Sequence, residues 1–138
     1  MKTEAMKRQL LEGVSPEALL EYVSPDTLQG YLNLLLGRRS MSVDVLAGLA
    51  ALNRASLFKI LNGTTKNPLR NVLFRLALAL GLGFEETQLL LKLAGRAPLS
   101  GERKRDVFVS DGIIHRKSID DVCAVLRAYG FSDLYGKD

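Results

Sequence analysis

Glycine, proline and small polar residues break this chain at short intervals, and the stretches between them are mostly Leu, Ala and charged residues. Those residue types favour helix, and β signals are scarce. A chain punctuated in this way can fold only as short helices packed on one another, so an all-α fold is the expectation. Its 138 residues, 47% apolar and 25% charged, have the balance of a globular chain able to bury one core. The single cysteine, Cys123, excludes a disulfide framework and a multi-cysteine metal site, and suits a reducing compartment. The opening MKTEAMKRQLLEG mixes both charges and lacks an apolar run. Neither signal peptide nor membrane span is expected, which points to the cytoplasm.

The punctuation predicts where the helices begin and end. A first helix is expected over 4–12, and the Ser15–Pro16 and Ser24–Pro25 pairs each read as an N-cap followed by the first helical residue. Leu28, Tyr31, Leu32, Leu35 and Leu36 then recur at helical spacing, with Gly37 as the expected stop. Ser42 and Asn53 cap two short helices, and Asn67–Pro68 opens another that ends at Gly81. In VFVSDGIIH, residues 107–115, the Asp111–Gly112 pair is a hairpin signal. Helix is preferred there, because an isolated two-stranded ribbon is weak and a helical Gly costs only about 1 kcal/mol. Two tail stretches, 84–99 and 119–134, match without gaps: an apolar start, two acids, a basic residue, Gly, and Leu four residues later. Duplication and the shared grammar of capped helices both account for the match.

Charge is unevenly divided. Residues 1–35 hold three basic and five acidic side chains, 36–75 hold seven and one, and 76–138 hold nine of each. The middle stretch therefore carries +6, in Arg38, Arg39, Arg54, Lys59, Lys66, Arg70 and Arg75 against Asp44. Such a focus attracts polyanions. Within it lies SVDVLAGLAALNRASLFKILNG, residues 42–63, with the proportions of a helix-turn-helix. Leu46 and Ala50 on the first helix can face Leu57 and Ile60 on the second, Ala47 permits close approach, and Leu52 fills the corner.

At these residues the chain resembles the phage-repressor-like (XRE, or lambda-repressor-like) DNA-binding domains. The resemblance covers about 26–94 as five helices. It rests on Leu46–Ala47, Ala50, Leu52, Leu57, Ile60, the stop Asn62–Gly63, the loop TTKNP and the segment LALALGLGFEE. The continuation past GFEETQLLLKLAGRAPL is similar to the extended tail of one bacterial branch. The resemblance implies an N-terminal helical extension at 1–24, a DNA-binding domain at 25–97 and a C-terminal helical extension at 98–138 packed on it. Two departures stand out. Ala51 occupies a turn position that is often Gly, so it must avoid the left-handed region or accept a cost of about 1 kcal/mol. Val43 stands where many members have Gln.

The function implied is a sequence-specific regulator, a repressor, that binds double-stranded DNA with helix 53–62 in the major groove. Arg54, Ala55, Phe58 and Lys59 lie on the face offered to bases: Arg54 to guanine O6 and N7, Lys59 to a guanine or phosphate, Ala55 to a thymine methyl. For Phe58, packing beneath the following loop is an equal alternative. Phosphates are expected at the helix starts capped by Ser42 and Asn53, at Ser56 and Asn62, and at Thr64, Thr65, Lys66, Asn67 and Arg70 in or beyond the next loop. Arg38 and Arg39 are further candidates, with plain solvent exposure the alternative.

A homodimer is expected on DNA, through the tail residues Val122, Val125, Leu126 and Tyr129 or through Leu10, Leu11, Leu19 and Leu20 at the amino terminus. Packing of the tail on the chain's own core is the competing expectation. Enzymatic readings are weak, since His115 is the only histidine and has no ligand-type partner nearby in sequence, and Cys123 lies on a helical face. No metal, cofactor or membrane partner is expected. The alternative function is a protein-interaction adaptor or antitoxin-like partner on the same helical scaffold.

Overall fold

From Arg70 to Leu80 every side chain is buried or half-buried. A helix covered on all sides belongs in the middle of a molecule, and the rest of the chain is arranged around it. The structure, a computed structural model, describes residues 2–19 and 25–136. Among these the elements are helices only: α1 (Thr3–Leu11), α2 (Pro16–Leu19), α3 (Leu28–Arg38), α4 (Val43–Leu49), α5 (Arg54–Leu61), α6 (Arg70–Leu80), α7 (Phe84–Leu93), α8 (Lys104–Ile114) and α9 (Ile119–Ala128). Helix α6 packs against α4, α7, α8 and α9, while α3 lies across α5 and α7. The expected all-α class is what the chain adopts.

One continuous hydrophobic cluster runs from Leu28 to Leu134. The tail contributes Val109, Ile113, Ile119, Val122, Cys123, Leu126 and Leu134 to it. Val122 and Leu126, considered above for a dimer interface, are thus buried in the chain's own core, and Val125 is half-buried; only Tyr129 of that group is exposed. At the amino terminus α1 has no buried residue, and Leu10 and Leu11 are exposed whereas Leu19 is buried. Leu20 lies outside the described residues.

Several expected boundaries move. The described start of the third helix is Leu28, with Thr27 Oγ1 accepting the Gly30 N–H at 3.0 Å, rather than Pro25; Ser24 lies outside the described residues. Gly37 does not stop α3, which runs on to Arg38 before Ser40 turns the chain with φ 48°. Helix α6 opens at Arg70, two residues after Pro68. Residues 107–115 are helical but for the closing His115, which follows α8. The glycine in the Asp111–Gly112 pair serves packing instead of a turn, because a Cβ there would run into the Val122 side chain on α9.

Helices α3, α4, α6, α7, α8 and α9 share a stopping device. A left-handed residue at Ser40, Ala51, Gly81, Gly95, Arg116 or Gly130 lets the next N–H reach back five residues, from Met41 to Leu36, Leu52 to Ala47, Leu82 to Ala77, Arg96 to Leu91, Lys117 to Gly112 and Phe131 to Leu126. This closes carbonyls that a helix end leaves open. The matched tail stretches end alike, at Gly95 and Gly130, with Leu99 and Leu134 both buried beyond them.

Candidate nucleic-acid interface

Helices α4 and α5 form a tight pair. Ser42 Oγ accepts the Val45 N–H at 3.2 Å and Asn53 Oδ1 accepts the Ser56 N–H at 2.7 Å, so both helix starts are capped by the residues expected. Leu46, Ala47 and Ala50 on one side meet Leu57, Ile60 and Leu61 on the other, all buried in the common core. Between them Ala51 takes the left-handed conformation at φ 55°, accepting the cost a glycine would avoid. Val43 is half-buried against the core.

What remains of α5 faces out. Arg54, Ala55, Phe58 and Lys59 are all exposed. Phe58 does not pack beneath the following loop: its ring lies under the Arg54 guanidinium, 5.0 Å from centroid to Cζ. Arg54 Nε also donates to Asp44 Oδ1 at 2.8 Å, a partner on α4 that the sequence reading did not connect with it. Asp44 is the one acid in residues 36–75, but its spacing in sequence does not show that it meets Arg54.

The far end of α5 is held by α3. Gln29 Nε2 donates to the Ile60 carbonyl at 3.4 Å and Asn33 Nδ2 to the Leu61 carbonyl at 3.5 Å. Asn62 Oδ1 accepts the Thr64 N–H at 2.9 Å, and the Thr65 N–H reaches the Lys59 carbonyl at 2.8 Å, folding the next loop back over the helix end. That loop is fastened to the end of α7 by Asn67 Nδ2 on the Ala94 carbonyl at 2.8 Å and by Arg96 on the carbonyls of Asn67 and Pro68. An open groove of ≈ 410 Å³ between α5 and this loop is lined by residues including Ser56, Lys59, Thr65 and Asn67.

The structure divides the expected phosphate contacts into two groups. Arg70 does not reach outward: its guanidinium makes a bidentate pair with the buried Asp106, at 3.1 and 2.9 Å, and also donates to the Ala97 and Pro98 carbonyls. It is corrected from phosphate clamp to internal tie. Arg75, counted in the basic stretch, is buried and donates to the Leu134 carbonyl at 2.8 Å. Burial pulls its pKa down from the usual arginine value. Arg39 Nε donates to the Leu80 carbonyl at 2.8 Å, which directs it toward the end of α6. The side chains of Ser42, Asn53, Asn62 and Asn67 serve caps and loop ties. By contrast, among the described residues the exposed side chains of Arg38, Lys59 and Lys66 have no hydrogen-bond or ion-pair partner. Thr64 is exposed; Ser56 and Thr65 are half-buried.

Other chemistry-bearing residues are remote from this face. His115 Nδ1 lies 3.0 Å from Asp111 Oδ1 at the end of α8. Cys123 is in the core, where burial pushes its thiol pKa up. Among the described residues no cluster of three His, Cys, Asp or Glu side chains suits a metal, and no helix is long and apolar enough to cross a membrane. The chain matches no protein-family model, no curated protein and no solved structure.

Proposed function

We propose that this protein is a sequence-specific regulator that binds duplex DNA, a repressor, with α5 in the major groove. Helices α3 to α7 are read as a phage-repressor-like five-helix domain in which α4 and α5 are the helix-turn-helix. The observation that carries the reading is the partition of α5: Leu57, Ile60 and Leu61 are buried, while Arg54, Ala55, Phe58 and Lys59 stand exposed on a helix with a capped N-terminus. Arginine and lysine on such a face match the acceptors of guanine and phosphate. Lys66 and the backbone of the loop after α5 supply grip, and Arg38, at the end of α3, adds charge just before α4. A two-fold dimer is part of the proposal, since one recognition helix reads few base pairs. With Val122 and Leu126 in the core, the tail surface available for pairing centres on Tyr129 and the exposed Val107.

Titrating a labelled duplex at several salt concentrations tests the reading. Affinity should fall steeply as salt rises, and Lys66→Ala should weaken all sequences alike and reduce the salt slope by about one unit. Binding that is absent at low salt, or indifferent to salt, sinks it. The second reading is a protein-interaction adaptor, favoured by the exposed Val107 and Tyr129 beside the stacked Phe108, whose ring centroid is 4.6 Å from that of Tyr129. A tight complex with a co-purifying protein and no DNA binding would favour it.

A further inference from the structure

We infer that Asp44 is a specificity-determining positioning residue: with Phe58 it fixes the Arg54 guanidinium so that its two terminal nitrogens are aimed at the O6 and N7 of one guanine. This rests on the DNA-binding reading of α5 and goes beyond it. Arg54 and Asp44 have side-chain exposures of 65% and 69%. Asp44 lies in the first turn of α4, where an acid complements the helix dipole, but a pair this open contributes little to stability after solvent screening, so folding does not explain the contact with Arg54. An acid on a surface meant for a polyanion also works against affinity, through repulsion of phosphate. Yet the one acid of residues 36–75 is placed on the first residue of α5, 2.8 Å from its Nε.

The geometry supplies a reason. A guanidinium offers two edges for bidentate donation, one using Nε with a terminal nitrogen and one using both terminal nitrogens. Asp44 occupies Nε, which leaves the terminal edge. Phe58, four residues on and therefore on the same helix face, puts its ring 5.0 Å from Arg54 Cζ and limits tilting out of plane. An arginine held in this way arrives at the groove in one orientation, and less side-chain freedom is lost on binding. Discrimination for guanine over adenine, which presents an amino donor in place of O6, follows from that fixed orientation.

The test starts with selection of bound sequences from a randomised duplex pool, using the full chain and Arg54→Ala, to find the base pair whose preference Arg54 controls. That position should be guanine. Replacing it with 7-deazaguanine, or with adenine, should weaken the unsubstituted protein by about tenfold or more. Asp44→Ala should lose most of this discrimination while its affinity for unrelated duplex holds or rises, and its thermal midpoint should fall by no more than the small loss of a first-turn acid. Asp44→Asn, which keeps an acceptor for Nε, should retain most of the discrimination. If Asp44→Ala discriminates as well as the parent while Arg54→Ala does not, the positioning role is wrong and the DNA reading stands. The same holds if the Arg54-controlled base is not guanine. If no duplex is bound at low salt, the DNA reading fails and takes this inference with it.

Discussion

Asp106 shows how a distant residue can decide what an arginine does. Its carboxylate, 2% exposed, accepts from both terminal nitrogens of Arg70 and from the Ser100 N–H at 3.1 Å. Removing one partner of such a pair strips the Arg70 charge of its counter-ion, with only the Ala97 and Pro98 carbonyls to offset it, so Asp106→Ala should cost about 3 kcal/mol. A urea midpoint within experimental scatter of the parent's would contradict that. The pair also explains why the +6 of residues 36–75 overstates what the surface presents. Arg70 and Arg75 look like the other basic residues in the sequence, but their acceptors, Asp106 and the Leu134 carbonyl, lie 36 and 59 residues away. Local composition carries no trace of such partners. Arg54, Phe58 and Lys59 were legible because helical period and an Asn cap are local facts. The Asp44 contact was not, since it crosses the turn between two helices.

At the scale of the elements, the stops decide the geometry. Gly81, Gly95 and Gly130 adopt left-handed φ without a Cβ penalty, whereas Ser40, Ala51 and Arg116 adopt it with one. Ala51 is the informative case because its turn sets the angle between α4 and α5. Ala51→Gly should stabilise the protein by about 1 kcal/mol; a lower unfolding midpoint would show that the turn is relaxed with alanine. The caps at Ser42 and Asn53 and the stop at Gly81 could be read in advance, since each sits beside a change in hydrophobic period. Gly37 misled because a glycine tolerated inside a helix looks the same in sequence as one that ends it. The real stop, Ser40, has no residue-type signature. Gly112 offered a hairpin signal, and the preference for helix there holds, because its role is to let α8 approach Val122.

For the whole molecule, residues 94–103, AGRAPLSGER, have the composition of a linker, and a boundary near Ala97 is the natural reading of it. The structure fastens this segment down. Gln88 exchanges two hydrogen bonds with Leu99, at 3.0 and 2.8 Å, and Leu99 itself is buried. Beyond it, α8 and α9 cover α6, and Asn71, Arg75 and Arg105 bind the carbonyls of 132–136. A chain ending at Ala97 would uncover the apolar side of α6, and it should lose cooperative unfolding in urea; a sharp two-state transition in that shortened chain would refute the single-core description. Because Leu73 to Ala77 are all buried, the middle of α6 has no nearby route to solvent that leaves its neighbours in place. Deuterium should reach those amides only when the whole molecule opens, which makes the middle of α6 an internal clock for the population of unfolded chains.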